Sequence, residues 1–162
     1  MQRRTFLTLG LAGTAGLALA GCGFRLRGFD EPGAVIDELA LAGPDSELSR
    51  LARERLEAAG TRVHDGAERV LNLGQPDTRR RNLSVLDSGP REEEMTLIAP
   101  FSVQRRGDGA YLLDQQQLEV STRYTVSDAN LLIQDDLREE ARQQLREAAV
   151  RQLLDRLRSL SL

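Results

Sequence analysis

The sequence predicts an α+β fold: a two-layer sandwich with two helices packed on one face of a mostly antiparallel sheet of about four strands. Three observations carry this expectation. Met95, Leu97, Ala99, Phe101 and Val103 alternate strictly with other residues, and so do Leu118, Val120, Thr122, Tyr124 and Val126. Such period-two patterns mark strands covered on one face. Gly107-Asp108-Gly109 lies between the two runs and supplies the turn chemistry of a hairpin. Over residues 130–160, Leu137, Ala141, Leu145, Ala148, Ala149, Leu153, Leu157 and Leu160 recur at helical spacing, predicting one long helix.

The remaining elements follow in order. Residues 34–42 read as a strand with Val35, Leu39 and Leu41 on one face. Pro44-Asp45-Ser46 then opens a helix. Asp45 or Ser46 caps its free N–H groups, and Glu47 suits its positive end. Leu48, Leu51, Ala52, Leu56 and Ala59 form its apolar stripe, and Gly60 is a natural stop. Residues 69–74 read as a second strand and residues 82–86 as a third, ended by the turn at Asp87-Ser88-Gly89-Pro90. Pro100 inside an alternating strand points to an edge or a bulge. In Glu119, Ser121, Arg123 and Thr125 the other face of the last strand is polar.

Composition bounds the function. The chain has 162 residues, 40% hydrophobic and 29% charged, which suits one folded domain, expected at residues 34–162. A net charge of −3 argues against a nucleic-acid partner, which usually meets a basic domain. All 22 basic residues are Arg. One cysteine and one histidine exclude an internal disulfide and leave no ordinary zinc set, so no metal or cofactor is expected.

The N-terminus explains where that cysteine stands. Arg3 and Arg4 precede the apolar or small run of residues 7–20, interrupted only by Thr8 and Thr14. The run is too short to span a bilayer and has the order of an export leader, expected at residues 1–21. Arg3-Arg4-Thr5-Phe6-Leu7 suits twin-arginine export and ordinary Sec export equally. Leu19-Ala20-Gly21-Cys22 looks like a bacterial lipobox, with cleavage between Gly21 and Cys22 and lipid on the Cys22 thiol. Several acyl chains there make stable anchoring. Residues 22–33 would then form a lipidated tether.

Beyond the leader, no catalytic motif emerges, so an enzyme is disfavoured. There is no phosphate loop, nucleophile elbow or His-Glu-x-x-His. His64 beside Asp65-Gly66 reads as a surface loop residue. Glu139-Glu140 lie among arginines at helical spacing and read as solvated ion pairs. Glu92-Glu93-Glu94 reads as an exposed loop. Arg79-Arg80-Arg81 is the one dense basic run: a solvated loop, or a site for an anionic lipid head group or sugar phosphate. Arg105-Arg106 at the hairpin end carries the same two readings.

Cys22-Gly23-Phe24-Arg25-Leu26-Arg27-Gly28 closely resembles the mature N-terminus of the LPS-assembly lipoprotein LptE family, also called RlpB. The order that follows fits too, down to a long helix containing Gln152-Leu153-Leu154-Asp155-Arg156-Leu157. The resemblance implies a non-enzymatic lipoprotein of the outer membrane. Its expected role is plug and assembly partner of the LptD-type β-barrel that delivers lipopolysaccharide to the outer leaflet. It also implies lipopolysaccharide contact through basic residues near the strand pair and the long helix. At those places the chain reads Leu86-Asp87-Ser88-Gly89 and Ile133-Gln134-Asp135-Asp136, with Arg91 and Arg138 close by. The candidate contacts are therefore Arg79, Arg80, Arg81, Arg91 and Arg138. An adaptor of a different envelope complex is the alternative.

Overall fold

The computed structural model describes residues 36–84, 89–127 and 131–160. The leader, Gly21, Cys22, the tether and Asp87-Ser88 lie outside the described residues.

The elements are β1 (Glu38–Ala42), α1 (Glu47–Ala58), β2 (Arg62–Val63), β3 (Arg69–Leu73), β4 (Asp77–Asn82), β5 (Arg91–Arg105), β6 (Tyr111–Val126) and α2 (Leu131–Arg158). The α+β class and the two helices are as expected. The sheet is not: it has six strands and is mixed, ordered β2-β1-β3-β5-β4 with β6 on β5. β1 runs parallel to both β2 and β3. Helix α1 is the reason. It carries the chain back past β1 before the next strand begins, and parallel neighbours need such a crossover.

β5 is the spine of the sheet. β6 pairs with it from Arg91 to Gln104 along one edge. A strand has two edges, so β4 and β3 share the other, end to end. β4 lies against residues 93–98 and β3 against residues 101–105. Pro100 falls between them. Its carbonyl accepts the Gly74 N–H at 2.8 Å, on the β3/β4 edge. A residue's N–H and C=O face the same edge, so the missing donor of Pro100 also faces the gap where no ladder continues. The register shifts beside it, between Phe101 and Val103. Pro100 thus marks an irregularity in an interior strand, not an edge.

Three further expectations change. The strand placed at residues 82–86 is instead β4 at Asp77–Asn82, and all six of its residues are exposed. It has no apolar member for a pattern to show, and its pairing is carried by the backbone. β2 is too short for periodicity to reveal. Glu92, Glu93 and Glu94 are not a loop but the start of β5, with Glu93 and Glu94 half-buried.

The core lies on the face of odd-numbered β5 residues. Met95, Leu97, Ala99, Phe101 and Val103 meet Leu71 and Leu73 of β3 and Leu118 of β6 there. Leu48, Ala52 and Leu56 of α1 join this core, with Ala141, Leu145, Ala149, Val150, Leu153 and Leu157 of α2. Each fully buried leucine contributes about 1.5–3 kcal/mol. Helix α1 starts at Ser46, whose Oγ accepts the Ser49 N–H while Ser49 Oγ accepts the Ser46 N–H, a reciprocal cap. Helix α2 has 28 residues, about 42 Å at 1.5 Å each.

Gly43 turns the chain out of β1 at φ +126°, and a Cβ there would sit 2.0 Å from the Leu73 carbonyl oxygen. Both facts demand glycine. Gly43→Ala is expected to cost about 2 kcal/mol or more. Leu71→Ala should cost ~2–5 kcal/mol by opening a cavity, and Ser46→Ala about 1 kcal/mol by removing the cap. Urea unfolding followed by circular dichroism measures all three.

Candidate functional site

The basic run Arg79-Arg80-Arg81 sits on a strand, so its side chains divide between the two sheet faces. Arg79 pairs in register with Thr96 and Arg81 with Glu94, on the open face. There Arg79 Nε donates to Asp77 at 2.9 Å and Arg81 to Glu94 at 2.8 Å. Arg123 of β6 reaches the same Glu94 at 3.3 Å. Arg81, Glu94 and Arg123 thus form one row across three strands, beside a shallow depression of about 500 Å³. Acids answer the cations here almost one for one.

Arg80 faces the other way. Its register partner is Met95, on the helix side, although as an edge residue it also touches the rim of that depression. On this side the alternation of β5 continues past the core: Met95, then Glu93, then Arg91. Glu93 faces Tyr124 of β6, and Arg91 faces Val126. The Tyr124 hydroxyl donates to Glu93 Oε2 at 2.7 Å. Arg138, in the second turn of α2, adds a charge felt at the Tyr124 hydroxyl. Its guanidinium donates to Asp135 at 2.9 Å and to Gln134 Oε1 at 3.0 Å. Gln134 is itself buried and donates to the Ser127 carbonyl at 2.7 Å. This chain of bonds holds a guanidinium whose side chain is only 22% exposed, and its Nε is buried with no hydrogen-bond partner.

Electrostatics tie the corner together. Burial pushes the Tyr124 pKa up, and the hydrogen bond and the charge of Glu93 push it further. The positive charges of Arg80 and Arg138 pull it back, so both lie within Coulombic reach of the hydroxyl. Arg80 and Arg138 thus act on the Glu93–Tyr124 pair, and Arg91 stands on the same face of β5 two residues from Glu93. Guanidinium groups can offer an anion charge-assisted, bidentate hydrogen bonds, and of these Arg91 and Arg138 are partly withdrawn from water while Arg80 is exposed.

The structure brings three of the five expected arginines to this corner and sends Arg79 and Arg81 to the opposite face. Sequence reasoning missed Glu93 and the polar role of Tyr124. Extending the alternation of Met95 back two and four residues would have placed Glu93 and Arg91 on the core face.

Other candidates carry less. His64 is exposed, 3.4 Å from Glu38. Glu139 binds Arg142 at 2.8 Å and Arg146 at 2.9 Å, and these hydrogen bonds lower its pKa, as befits an ion pair rather than an acid/base residue. Arg105 is spent on the turn residue Asp108, and Arg106 on backbone carbonyls of Asp65 and Ala67. Among the described residues no group of three or more His, Cys, Asp or Glu is placed to hold a metal. Nor is any helix among them long and apolar enough to cross a membrane.

A tyrosine held protonated contributes stability below its unfolded pKa of about 10 and loses it as pH climbs through the higher folded value. The chain has two tyrosines. In a Tyr111→Phe background, absorbance titration should show Tyr124 ionising above the ordinary range. Glu93→Gln should lower that midpoint, and Arg138→Gln should raise it.

Comparison with known proteins agrees with this architecture. The family model for LptE, lipopolysaccharide-assembly, matches residues 34–157. The LPS-assembly lipoprotein LptE of Pectobacterium atrosepticum is 32% identical, with 99% of this chain and 89% of that protein aligned. Its counterpart in Yersinia pestis is 29% identical over 96% of this chain and 77% of that protein. The rare lipoprotein B of Shewanella oneidensis superposes with TM-score 0.56 at 26% identity, covering 74% of this chain and 89% of that one. An uncharacterized lipoprotein B from Nitrosomonas europaea shares the fold at TM-score 0.68 and 18% identity, over 86% and 92% of the two chains. A match over most of the domain, joined to a relative aligned almost end to end, places the chain in the LptE family of lipopolysaccharide-assembly lipoproteins.

Proposed function

We propose that this lipoprotein works at the outer membrane as the plug and assembly partner of an LptD-type β-barrel, and takes no part in catalysis. Cleavage between Gly21 and Cys22 and acylation of Cys22 anchor it there. Arg25 and Arg27 then lie near the head groups.

The asymmetry of the sheet is the observation that carries this reading. In it the domain is a two-layer sandwich, helices behind and sheet in front. The open face presents Thr96, Gln104, Ser121 and the Arg81–Glu94–Arg123 row. Asn72 is bonded there to Ser102 and Gln104. A barrel wide enough to pass a lipid is too wide for its own side chains to fill. A polar, hydrogen-bonding face of preassembled charge pairs suits such a lumen better than a dry core would. The Arg80, Arg91 and Arg138 corner is the site of lipopolysaccharide contact in this reading, with Arg79 and Arg81 serving the barrel-facing surface.

Two outcomes are expected. A C-terminally tagged protein extracted gently from outer membranes should co-purify with a near-stoichiometric LptD-type barrel. Recovery alone, or with another envelope complex, would sink the plug reading in favour of a different adaptor. Cys22→Ala should release the protein from the membrane fraction on fractionation.

A further inference from the structure

The sheet ends in β2, β4 and β6, each paired on one side only among the described residues. β2 has two residues. β4 is guarded by consecutive arginines, which would meet their own copies in a self-pairing centred on them. β6 is different. It has 16 residues, and it keeps one unbroken register with β5 from Gln116 to Val126. The Leu83 N–H donates to the Glu92 carbonyl at 2.8 Å, so even-numbered residues of β5 turn their backbone groups toward β4 and odd-numbered ones toward β6. Leu118, Val120, Thr122 and Tyr124 of β6 stand opposite those odd-numbered residues. The N–H and C=O groups of Gln117, Glu119, Ser121, Arg123 and Thr125 therefore point away from the sheet, and all five residues are exposed. Such a row of open backbone groups is a template for another strand.

We propose that β6 pairs antiparallel with β6 of a second copy of this chain, about a twofold axis at Ser121, and so joins two sheets into one. Charge selects both the occupant and the register. From Gln117 to Thr125 the charged residues are Glu119 and Arg123, of opposite sign and placed symmetrically about Ser121. With Ser121 opposite Ser121 of the second copy, Glu119 of each copy stands opposite Arg123 of the other. Opposite charges in that position attract across a strand pair, and like charges repel. Slipped antiparallel registers leave both charges unanswered or set like against like, and in-register parallel pairing sets like beside like. Glu119 engages no partner among the described residues. Arg123 is held to Glu94 through Nε alone, at 3.3 Å, so its terminal amino groups are available. Each outward residue exchanges two N–H···O bonds with its opposite, about ten in all. Arg123 also belongs to the open face proposed to meet the barrel. A barrel and a second copy therefore compete for it, and the dimer is the form not engaged with a barrel. The pairing stands whether or not the barrel reading does.

The test expresses the full chain, purifies the protein free of other proteins in non-ionic detergent, and follows its mass by sedimentation velocity over rising concentration. The wild type should move from one protein copy per particle to two. Glu119→Arg and Arg123→Glu each set like charges opposite one another at both ends of the seam, and each should weaken association about tenfold or more. Mixed in equal amounts, the two variants should dimerise again, because each supplies the charges that the other lacks. Ser121→Pro removes an outward N–H without touching the ladder to β5, and it should also leave the protein monomeric. A wild type that stays monomeric at every soluble concentration overturns the proposal. So does a dimer that Glu119→Arg and Ser121→Pro form as well as the wild type, or a mixture of folded charge variants that fails to pair. Circular dichroism checks the fold of each variant. If Arg123→Glu, which also loses its bond to Glu94, does not fold, Glu119→Arg and Ser121→Pro decide the matter.

Discussion

One strand carries this structure. β5 is paired along both edges, with β6 on one side and β3 and β4 in tandem on the other. Its odd-numbered residues also line the core. The backbone ladder and the apolar row therefore depend on the same register. A slip of one residue would send Met95, Leu97, Ala99, Phe101 and Val103 to the open face and strand polar residues beneath the helices. Neither helix could hold the sheet in that case, because α1 and α2 find their apolar partners on that row. Gly43 and Gly74 serve the same end. Gly43 lets the chain leave β1 against Leu73, and Gly74 lets it pass Pro100, whose ring would lie 2.7 Å from a Cβ at that position.

The candidate site is a continuation of this constraint. The core row of β5 ends at Met95, but the alternation does not. Glu93 and Arg91 keep the core-facing orientation beside Tyr124, which packs against the apolar cluster, and the fully buried Val126. The start of α2 supplies Arg138, and edge strand β4 supplies Arg80. A polar corner thus lies beside buried apolar residues at the end of the ladder. Its groups remain partly desolvated by the neighbouring core, which makes their charges count for more than on an open surface.

The chain's all-arginine chemistry fits this division of labour. On the open face, guanidinium groups are bound up in exposed pairs and rows, where each pair adds little to stability. Their value there is geometric: planar donors and acceptors are arranged in advance for another polar surface. On the helix side, Arg138 is paired with Asp135, and Arg80 and Arg91 stand on the face of Glu93. One fold thus presents a row of charge pairs on one side of its strands and a cluster of arginines around Glu93 and Tyr124 on the other. Membership in a lipopolysaccharide-assembly family gives both features a natural context.

Much of this was legible in the residues themselves. Met95 through Val103 and Leu118 through Val126 announced their strands because one face is dry. The stripe from Ala141 to Leu157 announced its helix for the same reason. Pro44, Ser46 and Gly60 marked where α1 begins and ends, since caps and left-handed stops are local chemistry. Asp77 to Asn82 gave no such sign. That strand exists because β5 offers it free backbone groups, and backbone pairing leaves no trace in side-chain periodicity. The parallel entry of β1 likewise depends on where α1 returns the chain. By itself, then, the sequence determined the α+β class, both helices, the core row of β5 and the arginine-rich composition, all of which follow from local spacing. Only the tertiary structure decided that Arg80 parts from Arg79 and Arg81, and that Glu93 and Tyr124 meet across two strands. The physical reason is that register between distant strands, not order along the chain, chooses which charges share a face.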